Sequence, residues 1–189
     1  MIGTILGFFA YGALRAREVE GKDVLEVGSL NVNGSVRPLV EARQPASYMG
    51  VDVVPGPGVD KPVDVADLVA TFGADSFDVV ISTEMLEHAA DWQLACTQMV
   101  AVLRPGGVLV WTTRSPGFLY HHPPDRWRYT TTGMAEILDR LGLETVVVCD
   151  DPDPASPGVF AKARKPAGWQ PPADVALAGV GGVVPVRRP

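Results

Sequence analysis

Residues 76–88 read SFDVVISTEMLEH, and residues 103–107 read LRPGG. Within the first stretch, FDVVIST (77–83) is a short apolar run rich in β-branched residues, as expected of a strand buried on both faces. DWQLACTQMVAVL (91–103) then carries helical periodicity and stops at Pro105-Gly106-Gly107, and GVLVWTT (107–113) is a second apolar strand. Strand, helix and strand in succession form a βαβ unit, which predicts a mainly parallel sheet covered by helices.

The same alternation extends in both directions. Towards the N-terminus, DVLEVG (23–28) is a strand, a helix spans about Ser35–Arg43 with Pro38 in its first turn, and SYMGVDVV begins a strand at Ser47. A broken loop, PGPGVDKP, leads to a short segment at Val63–Leu68. Towards the C-terminus, SPGFLYHHPPDRWRYTTT is too rich in proline for regular structure. GMAEILDRLG is a helix closing at Gly142, and ETVVVCD and GVFAKARK are strands that pair as a hairpin. The fold class is therefore α/β, a doubly wound and mostly parallel sheet with one antiparallel strand near the C-terminus. Beyond Pro166 the Pro-, Gly- and Ala-rich residues 166–189 are expected to form a flexible tail, leaving residues 1–165 as one domain.

Composition narrows the function. A chain of 189 residues, 47% hydrophobic and 20% charged, can bury a core without disulfides or metals. Its net charge of −6 argues against a nucleic-acid partner, because phosphate contacts need clustered Lys and Arg. Cys96 and Cys149 lack metal or redox spacing and sit in apolar stretches, so both are expected to be reduced core residues in a cytoplasmic protein. The N-terminal run MIGTILGFFAYGAL is too short to span a bilayer, and Arg15 and Arg17 follow it rather than precede it. It is expected to be an amphipathic or buried helix over about residues 3–19, with no membrane span.

The first strand runs into the turn VLEVGSLNVNGS, where Gly28 lets backbone pass close to a ligand. A dinucleotide fingerprint is absent, since Leu30 stands at its second glycine and Val32 or Asn33 near its third. No phosphate-binding GxxxxGK[ST] loop occurs anywhere. Asp52, at the end of the second strand, is placed to accept hydrogen bonds from ribose hydroxyls or to be a solvated loop acid.

VLEVGS, YMGVD, VDVADL, SFDVVISTEMLEH and VLRPGGVLVWTTR occur in the order and spacing of class I S-adenosylmethionine-dependent methyltransferases, which the chain resembles over about residues 20–148. The resemblance implies a Rossmann-like sheet of seven strands and S-adenosylmethionine as cofactor. It implies that Glu26 helps hold the methionine end, that Gly28 and Ser29 form the cofactor turn, and that Asp52 binds the ribose. Asp64 matches the acid beside the adenine amino group, with the Val65 backbone near the ring. Ser82, Thr83 and Glu84 match the segment facing the cofactor's amino group and the acceptor. Leu30 departs from the family's usual glycine, which puts the conformation of the cofactor loop in question.

Methyl transfer from a sulfonium needs alignment and exclusion of water, and a hydroxyl acceptor also needs its proton removed. His88, His122 and Asp125 are the candidates for that role, with His121 beside them. For His88 the sequence favours capping or packing at a helix start over that role. The segment YHHPPDRWRYT (120–130) supports two readings: Arg126 or Arg128 holds an acidic group while Trp127 stacks on a ring, or Trp127 and Tyr129 pack the loop down while Asp125 pairs with Arg128. STEM stands where methyltransferases of DNA bases carry [DN]PP[FYW], and no metal-ligand spacing is present. The expected reaction is methyl transfer to a small-molecule or glycan acceptor, most readily at oxygen. The alternative is a non-catalytic cofactor-binding partner subunit that docks a second copy or another chain through the apolar N-terminus. A nicotinamide-dependent reductase would need the dinucleotide loop that is missing.

Overall fold

The structure, a computed structural model, describes residues 2–119, 124–172 and 177–186. Its main sheet has seven strands in the order β3-β2-β1-β4-β5-β8-β7. These are β1 (Asp23–Val27), β2 (Ser47–Asp52), β3 (Lys61–Pro62), β4 (Phe77–Thr83), β5 (Leu103–Arg114), β7 (Glu144–Asp150) and β8 (Gly158–Arg164). β1, β2, β3, β4 and β5 run parallel, whereas β8 is antiparallel to both β5 and β7. The doubly wound sheet with one antiparallel strand near the C-terminus is the architecture expected from the alternating pattern.

Period-two alternation sorts the strand residues between two cores. Leu25, Val27, Val80, Leu109 and Trp111 face one core with α4 (Leu68–Phe72), α5 (Trp92–Val102) and α6 (Thr131–Arg140). Val24, Val79, Ile81, Val108 and Val110 face the other with α1 (Ile2–Phe8) and α3 (Arg37–Glu41). Caps set the helix starts. Asp91 accepts from Leu94 N at 2.9 Å to open α5, and Thr130 accepts from Gly133 N at 3.1 Å to open α6.

Four expectations are corrected. The helix expected over 3–19 is interrupted: α1 passes into a π-turn (Phe9–Ala13), Leu14 is extended, and α2 (Ala16–Val19) starts afresh. The turn serves Glu18, whose carboxylate pairs with Lys162 and Arg164 of β8, each at 2.7 Å, and so ties α2 to the sheet. The segment after Pro166 is not a loose tail where it is described. Trp169 Nε1 donates to Leu141 O at 2.9 Å, and Leu177 and Val180 enter the core. The last strand, β9 (Val183–Pro185), pairs with β6 (Trp127–Tyr129), a strand inside the proline-rich segment expected to be irregular. Cys96 is buried as expected, but Cys149 is exposed because β7 is an edge strand with most of its side chains uncovered. No helix among the described residues is long and apolar enough to cross a membrane.

Candidate active site

The carboxyl ends of β1, β2, β4 and β5 open into one cavity of about 620 Å³, a size suited to a cofactor and a small second ligand. Gly28, Asp52, Asp64, Val65, Thr83, Glu84, His88 and Asp125 all contribute to its wall, so candidates scattered over the sequence converge at one sheet edge. Ile5 of α1 and Phe118 also contribute to its wall. Glu26, Ser29 and Ser82 do not line it. Glu26 shares a strand face with Val24, pointing towards the core under α1 rather than along the sheet edge. Ser29 and Ser82 are buried, with hydroxyls that have no hydrogen-bond partner among the described residues.

The turn after β1 is held tightly. Gly28 has φ of +81°, and its N–H and that of Ser29 donate to Val51 O at 2.9 and 3.0 Å. A Cβ at Gly28 would lie 2.6 Å from Met85 Cβ, so only glycine leaves room for the segment after β4. Leu30, the departure from the family pattern, is accommodated by a partner in the PGPG loop. A Cβ at Gly56 would sit 2.5 Å from Leu30 Cδ1, and Asn31 N donates to Pro57 O at 2.8 Å. The two loops therefore brace each other. Asp52 accepts from Val54 N at 3.1 Å, and Asp64 from Ala66 N at 2.9 Å, which leaves each carboxylate able to take further donors.

Burial pushes the Glu26 carboxyl up to about 7, against the opposing effect of the Tyr48 hydroxyl that donates to it at 2.6 Å. A folded value above the unfolded 4.5 means that the native state binds the extra proton. Stability is accordingly expected to fall as pH rises from about 4.5 to about 7, and Glu26→Gln to remove this residue's share of the fall. Urea unfolding at pH 5 and pH 8 checks this. An unchanged pH slope in the variant would count against it.

The described candidates for the proton acceptor, His88 and Asp125, both have structural work. Asp125 and Arg128 are both buried and form a bidentate ion pair, with Arg128 Nη2 donating to Asp125 Oδ2 at 2.7 Å. Trp127 Nε1 donates to Ala89 O at 2.9 Å and Tyr129 OH to Leu86 O at 3.1 Å, so the aromatics pin the loop as the packing reading expected. The His88 ring engages Pro124 O through Nδ1. His121 and His122 lie outside the described residues. Glu84, at φ of +55°, accepts from Thr112 Oγ1 at 3.0 Å and pairs with Arg114 Nε. Arg114 is 1% exposed, and its Nη1 donates to Ser156 O at 3.0 Å.

Glu87 escaped attention in the sequence. It is 3% exposed, lines the cavity, and accepts from Thr113 Oγ1 at 2.8 Å. Burial raises its pKa, opposed by His88, Thr113 and Arg128. In TEMLEH nothing distinguishes it from Glu84, because the segment is a turn and has no period from which orientation can be read.

A family model described as a methyltransferase domain matches residues 9–148. The ubiquinone biosynthesis O-methyltransferase of Rhizobium etli is 32% identical over 107 residues, which cover 50% of this chain and 42% of that protein. The chain thus spans less than half the length of that relative. A Burkholderia thailandensis 1,6-didemethyltoxoflavin N1-methyltransferase, solved with S-adenosylhomocysteine, superposes with a TM-score of 0.62 at 18% identity, covering 78% of this chain and 72% of that one. A Haloferax volcanii methyltransferase complex with the Trm112 activator gives a TM-score of 0.69 at 17% identity, covering 88% and 90%.

Proposed function

This chain belongs to the family of methyltransferase domains, of the class I type whose cofactor is S-adenosylmethionine, and from that membership we propose that it transfers a methyl group to an oxygen of a small-molecule or glycan acceptor. The observation that carries the proposal is the single cavity in which Asp52, Asp64, Gly28 and Thr83 share a wall with the acceptor-side residues Ile5, Phe118 and Asp125. The residues fit the cofactor. Gly28 provides a cradle that a Cβ would fill, and Asp52 presents a carboxylate for ribose hydroxyls. Asp64 and the Val65 backbone suit the adenine end, and Thr83 and Glu84 suit the methionine end. Glu84 and Asp125 are paired with Arg114 and Arg128, and Asp52, Asp64 and Asp91 against Arg126 give the cavity wall a negative balance that favours a cationic ligand. Bound there, the cofactor supplies an activated methyl, and the protein's part is alignment and exclusion of water. Oxygen as the acceptor atom draws support from the Rhizobium relative's name.

Calorimetric titration with S-adenosylhomocysteine tests the proposal. Saturable binding is expected, weakened about 10- to 100-fold in Asp52→Ala through loss of charge-assisted hydrogen bonds. A well-folded wild type that does not bind would sink it. A second reading, a domain active only with a partner, draws on Tyr11, which is 94% exposed in the apolar N-terminal segment. An activator accompanies the Haloferax neighbour. Binding of cofactor without turnover by the isolated chain, whatever acceptor is offered, would favour that second reading.

A further inference from the structure

Glu84, Glu87, His88 and Asp125 are the groups lining the cavity that could take a proton from an acceptor, and three of them are committed. Glu84 is held from both sides by Thr112 and Arg114. Asp125 gives both carboxylate oxygens to Arg128. His88 uses Nδ1 to hold the Pro124 carbonyl and so anchors the loop. Glu87 differs. Its carboxyl accepts from the Thr113 hydroxyl at Oε2 and from its own backbone N–H, neither of them an ion pair, and it lines the cavity while almost wholly buried.

We propose that Glu87 is the proton acceptor for the methyl acceptor's hydroxyl, and that it is made ready by losing its own proton when the sulfonium cofactor binds. The proposal rests on the function proposed above. Before binding, burial favours the neutral carboxylic acid. The ionisable groups facing it are His88 beside it and Arg128 on β6, the latter paired with Asp125. Thr113 on β5 contacts its carboxyl and Tyr129 on β6 lies near. A positive sulfur entering the same cavity favours the carboxylate, so the proton leaves to solvent. In the transfer step Glu87 takes the hydroxyl proton as the oxygen–methyl bond forms, and the sulfur–methyl bond breaks with its electron pair remaining on sulfur. The acceptor gains the methyl, the sulfonium becomes a neutral thioether, and Glu87 ends as the acid. The loss of positive charge on sulfur makes that protonated state stable again.

This cycle has a signature that needs no knowledge of the acceptor. S-adenosylmethionine carries the sulfonium charge and S-adenosylhomocysteine does not. Titrations of the full chain with each ligand, between pH 5 and 9 in buffers of different ionisation enthalpy, measure protons released. Up to about one more proton is expected to leave with S-adenosylmethionine than with S-adenosylhomocysteine, at pH values between the lowered bound and raised free pKa of Glu87. Glu87→Gln keeps the hydrogen-bonding shape, so it is expected to bind S-adenosylhomocysteine within a few-fold of wild type and to lose the extra proton. Glu87→Asp is expected to retain it. Equal proton release from both ligands across the range, or extra release that survives in Glu87→Gln, would overturn the proposal while leaving cofactor binding intact. Failure of the wild type to bind either ligand would instead fall on the proposed function.

Discussion

Gly28→Ala is expected to weaken S-adenosylhomocysteine binding by at least about 100-fold. Two penalties combine. The residue sits at φ of +81°, where an L side chain costs about 1–2 kcal/mol. The added Cβ would also meet Met85 Cβ at 2.6 Å and Met85 Cγ at 2.8 Å, and Met85 cannot simply swing aside when its Cβ is the atom struck. Either the first turn or the segment carrying Thr83 and Glu84 must shift, and both line the cavity. Gly7→Ala is the control, for its Cβ meets nothing within 4 Å and alanine is favoured inside a helix. Calorimetry on the two variants decides the matter. Wild-type affinity in Gly28→Ala would mean that the cofactor does not approach this turn.

The second large effect is expected in stability. Asp125→Ala leaves the buried Arg128 guanidinium without its bidentate partner and should destabilise the fold by about 3–5 kcal/mol. Arg128 also lies in β6, the strand that pairs with β9, so the loss should spread to the C-terminal segment. Urea unfolding of Asp125→Ala measures the first effect. Hydrogen exchange at residues 127–129 and 183–185 measures the second. The double variant Asp125→Ala with Arg128→Leu is expected to regain part of the loss, because the stranded charge is gone. Wild-type stability in Asp125→Ala would remove the ion pair as the scaffold of the loop and return Asp125 to a chemical role.

Much of the wall proposed to hold the cofactor was legible in the sequence, for a local reason. Gly28, Asp52, Asp64 and Thr83 stand at strand ends, and strand ends in a parallel sheet share one edge, so their order along the chain already implies their convergence. Leu30 was a warning the sequence raised and could not resolve. Its answer lies with Gly56, on a different loop, and no local pattern links the two.

The acceptor side behaved differently. His88, Asp125 and Arg128 look alike as polar residues in a proline-rich stretch, and only their partners separate an anchor or an ion pair from a free reagent. Glu87 was invisible beside Glu84 because a turn has no periodicity to predict which of two acids points inward. The C-terminal residues carry neither strand nor helix pattern, yet Val183–Pro185 complete a ladder with Trp127–Tyr129. Sequence alone determined the strand and helix order, the parallel sheet, the family and the sheet edge where the candidate residues meet, since these follow from hydrophobic period and from motifs at fixed spacing. The tertiary structure decided which ionisable groups are bound up and which remain available, because a side chain's protonation and partners depend on neighbours brought together from distant parts of the chain.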